Sequence, residues 1–96
     1  MSLNTVAFVI LDRHDPARNM ARYYVLSIEP SLFGDTALVR QWGRQGRNGR
    51  HRIELFRERA HAIETLEAWF ARKIRRGYSP RETSARVQLS PDQRYV

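Results

Sequence analysis

The spacing of the apolar residues changes once along this 96-residue chain, from a period of two to a period of 3.6. From residue 60 onwards they recur at offsets of three and four, at Ala62, Ile63, Leu66, Trp69, Phe70 and Ile74. This spacing predicts an amphipathic helix over 60–76 that stops at Gly77. The preceding segments are short and rich in β-branched and aromatic residues, which is typical of strands. The pattern predicts an α+β fold in which one amphipathic helix packs on one face of a mostly antiparallel β-sheet.

Four strands are predicted before the helix, at 5–12, 21–29, 36–44 and 51–56. The first is almost continuously apolar, so we expect it to be largely buried. A loop over 13–19 and a turn over 30–35 separate the next strands, and Gly34 is available for a positive φ. In the last connection Gly46 suits a bulge, and the pair Asn48-Gly49 is typical of a tight hairpin.

Residues 5–78 are therefore expected to form one domain. We expect residues 1–4 to be disordered or a remnant of cloning. The remainder, residues 79–96, contains Pro80, Pro91 and the short apolar run Val87–Leu89. It is expected to form either an edge strand or a frayed end.

Several functional classes are disfavoured by composition. The chain contains no cysteine, and its three histidines lack metal-ligand spacing, so disulfides, thiolate catalysis and cysteine-based zinc sites are excluded. The ten acidic residues are dispersed, and none is in evident register with a nucleophile and a base. We therefore expect no metal, no cofactor and no enzymatic activity. Without a long apolar run or a signal peptide, we expect a soluble cytoplasmic protein, associated with the nucleoid if bacterial.

The charge of the chain indicates the kind of partner. Seventeen basic residues, of which Lys73 is the only lysine, face ten acidic ones and give a net charge of +7. Arginine forms bidentate contacts with phosphate and stacks on flat rings. Two clusters stand out, one of Arg40, Arg44, Arg47, Arg50 and Arg52, and one of Arg72, Lys73, Arg75 and Arg76. The second cluster contains more positive charge than interaction with the helix dipole explains. A polyanionic partner is therefore predicted.

The third strand carries a candidate stacking residue, Trp42. Alternation along the strand puts Leu38, Arg40, Trp42 and Arg44 on one face and Ala37, Val39 and Gln41 on the other. We expect the helix to cover Ala37 and Val39, which leaves Trp42 on the open face as a platform for a base or sugar ring. The alternative is that Trp42 belongs to the core and that the arginines protect a solvated edge.

The triplet Trp42-Gly43-Arg44, followed by Gly46 and Gly49 and then by a strand and a helix, resembles the WGR domain. That family is known from the DNA-damage-responsive poly(ADP-ribose) polymerases and from small bacterial proteins. The similarity runs roughly from Phe8 to Tyr78 and includes, besides the triplet, Asn19, Tyr23-Tyr24, Ala62-Ile63, Trp69-Phe70 and Arg72-Lys73.

The resemblance implies a role at DNA. In those polymerases the domain holds DNA near a strand break, its tryptophan packs on a terminal sugar, and basic residues hold the phosphate backbone. By position, Trp42 would stack and Arg44 would contact a phosphate or a neighbouring domain. The polymerases' catalytic domain has no counterpart in this sequence, so the resemblance implies no ADP-ribosyl transfer. The helix end, Arg75-Arg76-Gly77-Tyr78, departs from the more usual threonine-glycine-asparagine run.

These observations lead to a prediction and two alternatives. The chain is predicted to be a DNA-binding module of the DNA damage response that contacts the backbone and a strand break or end, without reading base sequence. The alternatives are that the basic surface binds RNA or an acidic protein partner. The predicted binding residues are Trp42, Arg40, Arg44, Arg47, Arg50, Arg52, Arg72, Lys73, Arg75 and Arg76.

Overall fold

A computed structural model describes residues 7–31 and 33–83. Within them the elements are β1 (Ala7–Asp15), a short 3-10 helix (Pro16–Arg18), β2 (Met20–Pro30), β3 (Thr36–Arg44), β4 (Arg50–Phe56), α1 (Arg59–Arg75) and β5 (Ser79–Thr83). The strands form one antiparallel sheet in the order β4-β3-β2-β1-β5, so β4 and β5 are its edges. The predicted α+β class is confirmed.

The core lies between α1 and one face of the sheet. The helix buries Ala62, Leu66 and Phe70, which are four residues apart and so share one face. They pack against fully buried side chains of the three central strands, among them Val9, Leu11, Leu26, Ile28 and Leu38. The predicted apolar helix face therefore forms the core as expected.

The first strand shows that, among the described residues, one face of the sheet is covered more fully than the other. Ala7, Val9 and Leu11 are buried, whereas Phe8 and Ile10 between them are half-buried. Our expectation of a largely buried strand was wrong for Phe8 and Ile10, because α1 covers one face of the sheet and these alternate side chains lie on the other. The strand is also longer than predicted, since pairing with β2 continues to Asp15↔Met20 and shortens the loop.

The orientation of β3 differs from our prediction. Leu38 is fully buried in the core cluster, and Trp42 packs against that cluster. Because alternate residues share a face, Arg40 and Trp42 lie on the helix side of the sheet with Leu38. Placing Trp42 on the open face was therefore wrong. The strand begins with three apolar residues in succession, Ala37, Leu38 and Val39, so alternation alone did not identify the buried face.

The structure confirms the predictions for Gly34 and Gly77 and contradicts the one for the Asn48-Gly49 pair. Gly34 in the turn and Gly77 after α1 have φ of 89° and 99°, the left-handed region that favours glycine. In the β3–β4 connection the positive φ belongs to Gly46, at 78°, and neither Asn48 nor Gly49 has one. The expected tight turn at Asn48-Gly49 therefore does not form, and the hairpin between β3 and β4 reverses near Gly46 instead.

Some predictions fall on residues that the structure does not describe. Residues 1–4, the first two residues of the predicted first strand, and Val87–Leu89 lie outside the described residues. The described part of 79–96 is β5, which pairs with β1 at the edge of the sheet. Among the described residues, no helix has the length and apolar character needed to cross a bilayer.

Candidate nucleic-acid interface

The strand register arranges the helix face of the sheet in rows of aligned residues. The outermost row consists of Arg13, Arg22 and Arg44, and the next of Leu11, Tyr24, Trp42 and Arg50. Further along the strands, the rows contain the buried residues Val9, Leu26, Ile28 and Leu38. The same face thus changes from arginine to aromatic to aliphatic within a few residues. Its arginine end lies beyond the packed core.

Four rings form an aromatic cluster at this boundary, and Tyr24 is at its centre. The ring of Tyr24 stacks on Trp42, with centroids 5.8 Å apart, and on Trp69 of α1, with centroids 6.3 Å apart. Tyr78, which follows the helix, meets Tyr24 edge-on at 6.2 Å. Tyr24 is only 3% exposed. Sheet, helix and the segment after the helix therefore hold the rings in fixed positions.

Basic side chains lie against these rings. The guanidinium carbon of Arg40 is 4.1 Å from the ring centroid of Trp69, and its Nη1 donates a 3.1 Å hydrogen bond to the Tyr24 hydroxyl. The Nζ of Lys73 is 4.4 Å from the ring centroid of Tyr24. Arg72 lies over Trp69 at 4.5 Å. All three distances are within the roughly 6 Å range of cation–π attraction, so the rings position these cations.

The cluster and the basic residues surround a pocket of about 290 Å³, which we call the cationic pocket. It is lined by Arg13, Arg22, Arg40, Lys73 and Arg76 together with the four rings of the aromatic cluster, Tyr24, Trp42, Trp69 and Tyr78. No carboxylate lines it. Within residues 7–31 and 33–83, none of the five basic side chains makes an ion pair.

The acidic residue next to Arg13 does not neutralise the pocket. Asp12 lies on the other face of β1, where Arg81 contacts it at 2.9 Å. The side-chain nitrogen of Gln45 also donates to it, at 3.0 Å. The positive charge of the cationic pocket therefore remains uncompensated by the described residues.

Two basic groups of the cationic pocket lie in unfavourable surroundings. Burial lowers the pKa of Lys73, and the neighbouring charges of Arg76, Arg72 and Arg40 lower it further. The buried Nε of Arg40 has no hydrogen-bond acceptor among the described residues. An anion bound in the pocket would offset the repulsion between Lys73 and its arginine neighbours.

Trp42 also lines a second pocket of about 420 Å³, which we call the hairpin pocket. It is lined by Trp42, Gly43, Arg44, Arg47, Asn48, Gly49 and Arg50, again without a carboxylate. Trp42 contributes to both pockets. A chain of phosphates that contacts both pockets would therefore pass Trp42 and meet arginine in each of them.

Two glycines allow the hairpin to fold back beside Trp42. A Cβ on Gly43 would lie 2.8 Å from the Cα of Gly49. A Cβ on Gly49 would collide with the carbonyl oxygen of Trp42 and the hydroxyl of Tyr23. The close approach, and not a positive φ, thus explains glycine at both positions.

The structure distributes the predicted binding residues over several places. Arg40, Lys73 and Arg76 line the cationic pocket, Arg44, Arg47 and Arg50 the hairpin pocket, and Trp42 both. Arg72 lies over Trp69. Arg52 and Arg75 are exposed and line neither of these pockets.

Sequence reasoning missed Arg13, Arg22, Tyr24, Trp69 and Tyr78 as lining residues of the cationic pocket. Arg13 lies directly opposite Arg22 in the β1–β2 pairing, and Arg22 opposite Arg44. Aligning the first two strands as a hairpin centred between Ala17 and Arg18 would have brought out this row. Trp69 was attributed to the apolar helix face alone, although it also meets Arg40 and Arg72.

Comparison with known proteins identifies a family and a relative. The model of the WGR domain family matches residues 7–85. The uncharacterized protein y4dW of Sinorhizobium fredii (strain NBRC 101917 / NGR234) is 46% identical over 71 residues, which are 74% of this chain and 35% of y4dW. The matched region thus spans about a third of that relative's length.

Proposed function

The chain belongs to the WGR domain family, and on this premise we propose that it binds DNA through backbone and strand-end or strand-break contacts, without reading base sequence. The observation that carries the proposal is the cationic pocket, in which five basic side chains and four rings meet without a carboxylate. The proposal makes the chain a binding module, not an enzyme.

Charge is the first support for a nucleic-acid backbone as the ligand. Each phosphate brings one negative charge and oxygen acceptors, which match the arginine donors Arg13, Arg22 and Arg40. Binding a phosphate beside Lys73 would also favour its charged form, which is disfavoured in the free protein by burial and by Arg76. If about five phosphates are neutralised, log affinity falls against log salt with a slope of about −4 to −5.

The contribution of Trp42 to both pockets supports an end or break as the preferred ligand. The indole is half-buried, and Tyr24 stacks on it at an interplanar angle of 15°. The remaining indole surface can pack on a base or sugar only where no neighbouring nucleotide covers that group. Such a group is available at a nick or an open end, whereas a continuous duplex keeps its bases stacked.

The helix supports binding without base readout. Its buried residues Ala62, Leu66 and Phe70 commit one face of α1 to the sheet. Apart from Arg59 at its first position, its basic residues Arg72, Lys73 and Arg75 lie in the last turn. A recognition helix of the major groove presents side chains to base edges along its exposed face, which this distribution does not provide.

The experiment that tests the proposal is fluorescence anisotropy with four labelled ligands over a salt series. These are a nicked duplex, a blunt duplex, a hairpin-closed duplex without free ends, and single-stranded RNA. We expect tighter binding to the nicked and blunt duplexes than to the closed duplex and the RNA. Equal, steeply salt-dependent binding to all four would contradict end recognition and leave only a generic basic surface.

Two further outcomes distinguish the alternatives. Preference for the RNA would identify RNA as the ligand of the cationic pocket. No binding at low salt would overturn the proposal and favour an acidic protein partner. A pull-down that keeps its partner after nuclease treatment would be the next measurement in that case.

A further inference from the structure

The two edges of the sheet differ in how they are protected. On β5, Pro80 lacks a backbone N–H, and the register with β1 shifts between Ile10 and Leu11. Proline and irregular pairing both prevent another strand from adding to an edge. The β4 edge contains no proline, and its pairing with β3 is regular from Thr36↔Phe56 to Trp42↔Arg50. No described strand pairs with its outer side.

The side chains of β4 are arranged in two exposed sets. Glu54 pairs with the buried Leu38, so Arg52 and Glu54 lie on the helix face of the sheet. Ile53 and Leu55 lie on the opposite face, where they are 57% and 58% exposed. Neither Arg52 nor Glu54 makes an ion pair within the part of the chain that the structure describes. The edge thus presents unpaired charges of both signs and exposed apolar side chains.

We propose that the β4 edge pairs antiparallel with the β4 edge of a second copy of this chain, centred on Ile53. In this register Arg52 lies opposite Glu54 of the second copy, and Glu54 lies opposite Arg52. Ile53 lies opposite its own equivalent, and His51 lies opposite Leu55. Opposite charges and apolar side chains are therefore paired across the two-fold axis.

Charge selects this register over its neighbours. Centring the pairing on Glu54 places Glu54 opposite Glu54 and leaves Arg52 opposite Phe56. Centring it on Arg52 pairs Glu54 with Arg50 but places Arg52 opposite Arg52. Each shift therefore puts one pair of like charges directly opposite each other, which is destabilising and is absent from the register centred on Ile53. The two-fold axis is perpendicular to the sheet, so both helices lie on one face of a ten-stranded sheet. The two cationic pockets then open on the same face as the two helices, which would let one duplex contact both.

The first test uses charge reversal and sedimentation velocity at about 10 μM to about 1 mM, where small interfaces associate. We expect a species of 11.3 kDa that shifts to twice that mass as concentration rises. Arg52→Glu and Glu54→Arg each place like charges opposite one another and should weaken the dimer about tenfold. An equimolar mixture of the two variants pairs opposite charges again and should restore association.

The second test uses disulfide cross-linking to detect the register of the two β4 strands directly. Because the chain contains no cysteine, Ile53→Cys introduces a single thiol that meets its equivalent across the two-fold axis. We expect this variant to form a covalent dimer under mild oxidation. Ala68→Cys, an exposed position on α1, is the matched control and should stay monomeric.

Three results would overturn the proposal. The first is a species of 11.3 kDa at every concentration. The second is a dimer that neither charge reversal weakens, and the third is equal cross-linking of both cysteine variants. None of these measurements contains nucleic acid, so they are independent of the proposed DNA binding.

Discussion

The indole of Trp42 stacks on the phenol ring of Tyr24, with centroids 5.8 Å apart and planes inclined by 15°. The two residues are directly opposite each other in the β2–β3 pairing. One face of the indole is therefore occupied by the protein itself. This arrangement fixes the orientation of the ring before any ligand arrives, which lowers the entropic cost of stacking a sugar or base on it.

Trp42→Ala should weaken binding to a nicked duplex by about 1 to 3 kcal/mol, because the stacking surface is lost. It should also lower the free energy of unfolding by about 2 kcal/mol, since the half-buried ring leaves a gap beside Tyr24. Trp42→Phe retains a ring against Tyr24 and should keep most of the stability. Anisotropy and urea denaturation measure the two effects, and unchanged affinity in Trp42→Ala would rule out stacking.

Arg22→Gln should weaken DNA binding and make the salt slope shallower by about one unit, because one phosphate contact is lost. Arg13→Gln should behave in the same way, since Arg13 lies directly opposite Arg22 in the cationic pocket. The matched control is Arg57→Gln, which removes the same charge at the other end of the sheet. Equal losses of affinity in all three variants would show that only net charge matters.

Lys73 should make DNA affinity depend on pH in the alkaline range. Burial and the charges of Arg76, Arg72 and Arg40 lower its pKa in the free protein, and a bound phosphate should raise it again. Affinity should therefore be constant below the lowered pKa and fall as pH rises from there towards the ordinary lysine value of about 10.4. Lys73→Arg keeps its charge at higher pH and should remove this dependence.

The measurement is the dissociation constant of the nicked duplex from about pH 7 to about pH 9.5 at constant ionic strength. The free energy of unfolding provides an independent check, because it should change with pH in the opposite direction to the DNA affinity. A lysine whose folded pKa is lowered binds its proton more tightly in the unfolded chain, so the free energy of unfolding should rise with pH across the same window. An affinity that falls equally in Lys73→Arg would assign the effect to another group.

Much of the fold could be predicted because it depends on local periodicity. The third strand was predicted at 36–44 and lies there, and the helix predicted at 60–76 spans Arg59–Arg75. Spacing could not decide which face of β3 is buried, because Ala37, Leu38 and Val39 are all apolar. The larger Leu38 fills the space under α1, and this choice carries Trp42 to the helix side.

The candidate site was less predictable because long-range register assembles it. The arginines near Trp42 in the sequence stood out, but Arg13 and Arg22 reach the same pocket only through pairing of β1 with β2. The Asn48-Gly49 prediction failed for a related reason. A dipeptide propensity describes an isolated hairpin, whereas this connection is shaped by the approach of Gly49 to Tyr23 and to the backbone of Trp42.

The two loop glycines should respond differently to alanine. At Gly46 nothing lies near the added Cβ, so Gly46→Ala carries only the strain of a φ of 78° and should cost about 1 kcal/mol. At Gly49 the Cβ would collide with the Trp42 carbonyl oxygen and the Tyr23 hydroxyl. The backbone has to move there, so Gly49→Ala should cost about 2 to 3 kcal/mol.

Urea denaturation measures which of the two variants loses more stability. Tryptophan fluorescence shows whether displacement of the hairpin is the cause. Displacement of the hairpin should change the surroundings of Trp42 in Gly49→Ala but not in Gly46→Ala. DNA affinity should follow the same order, because Arg47 and Arg50 are carried by the displaced segment. If Gly46→Ala lowered stability more than Gly49→Ala, the connection would depend on glycine for its backbone conformation and not for close packing.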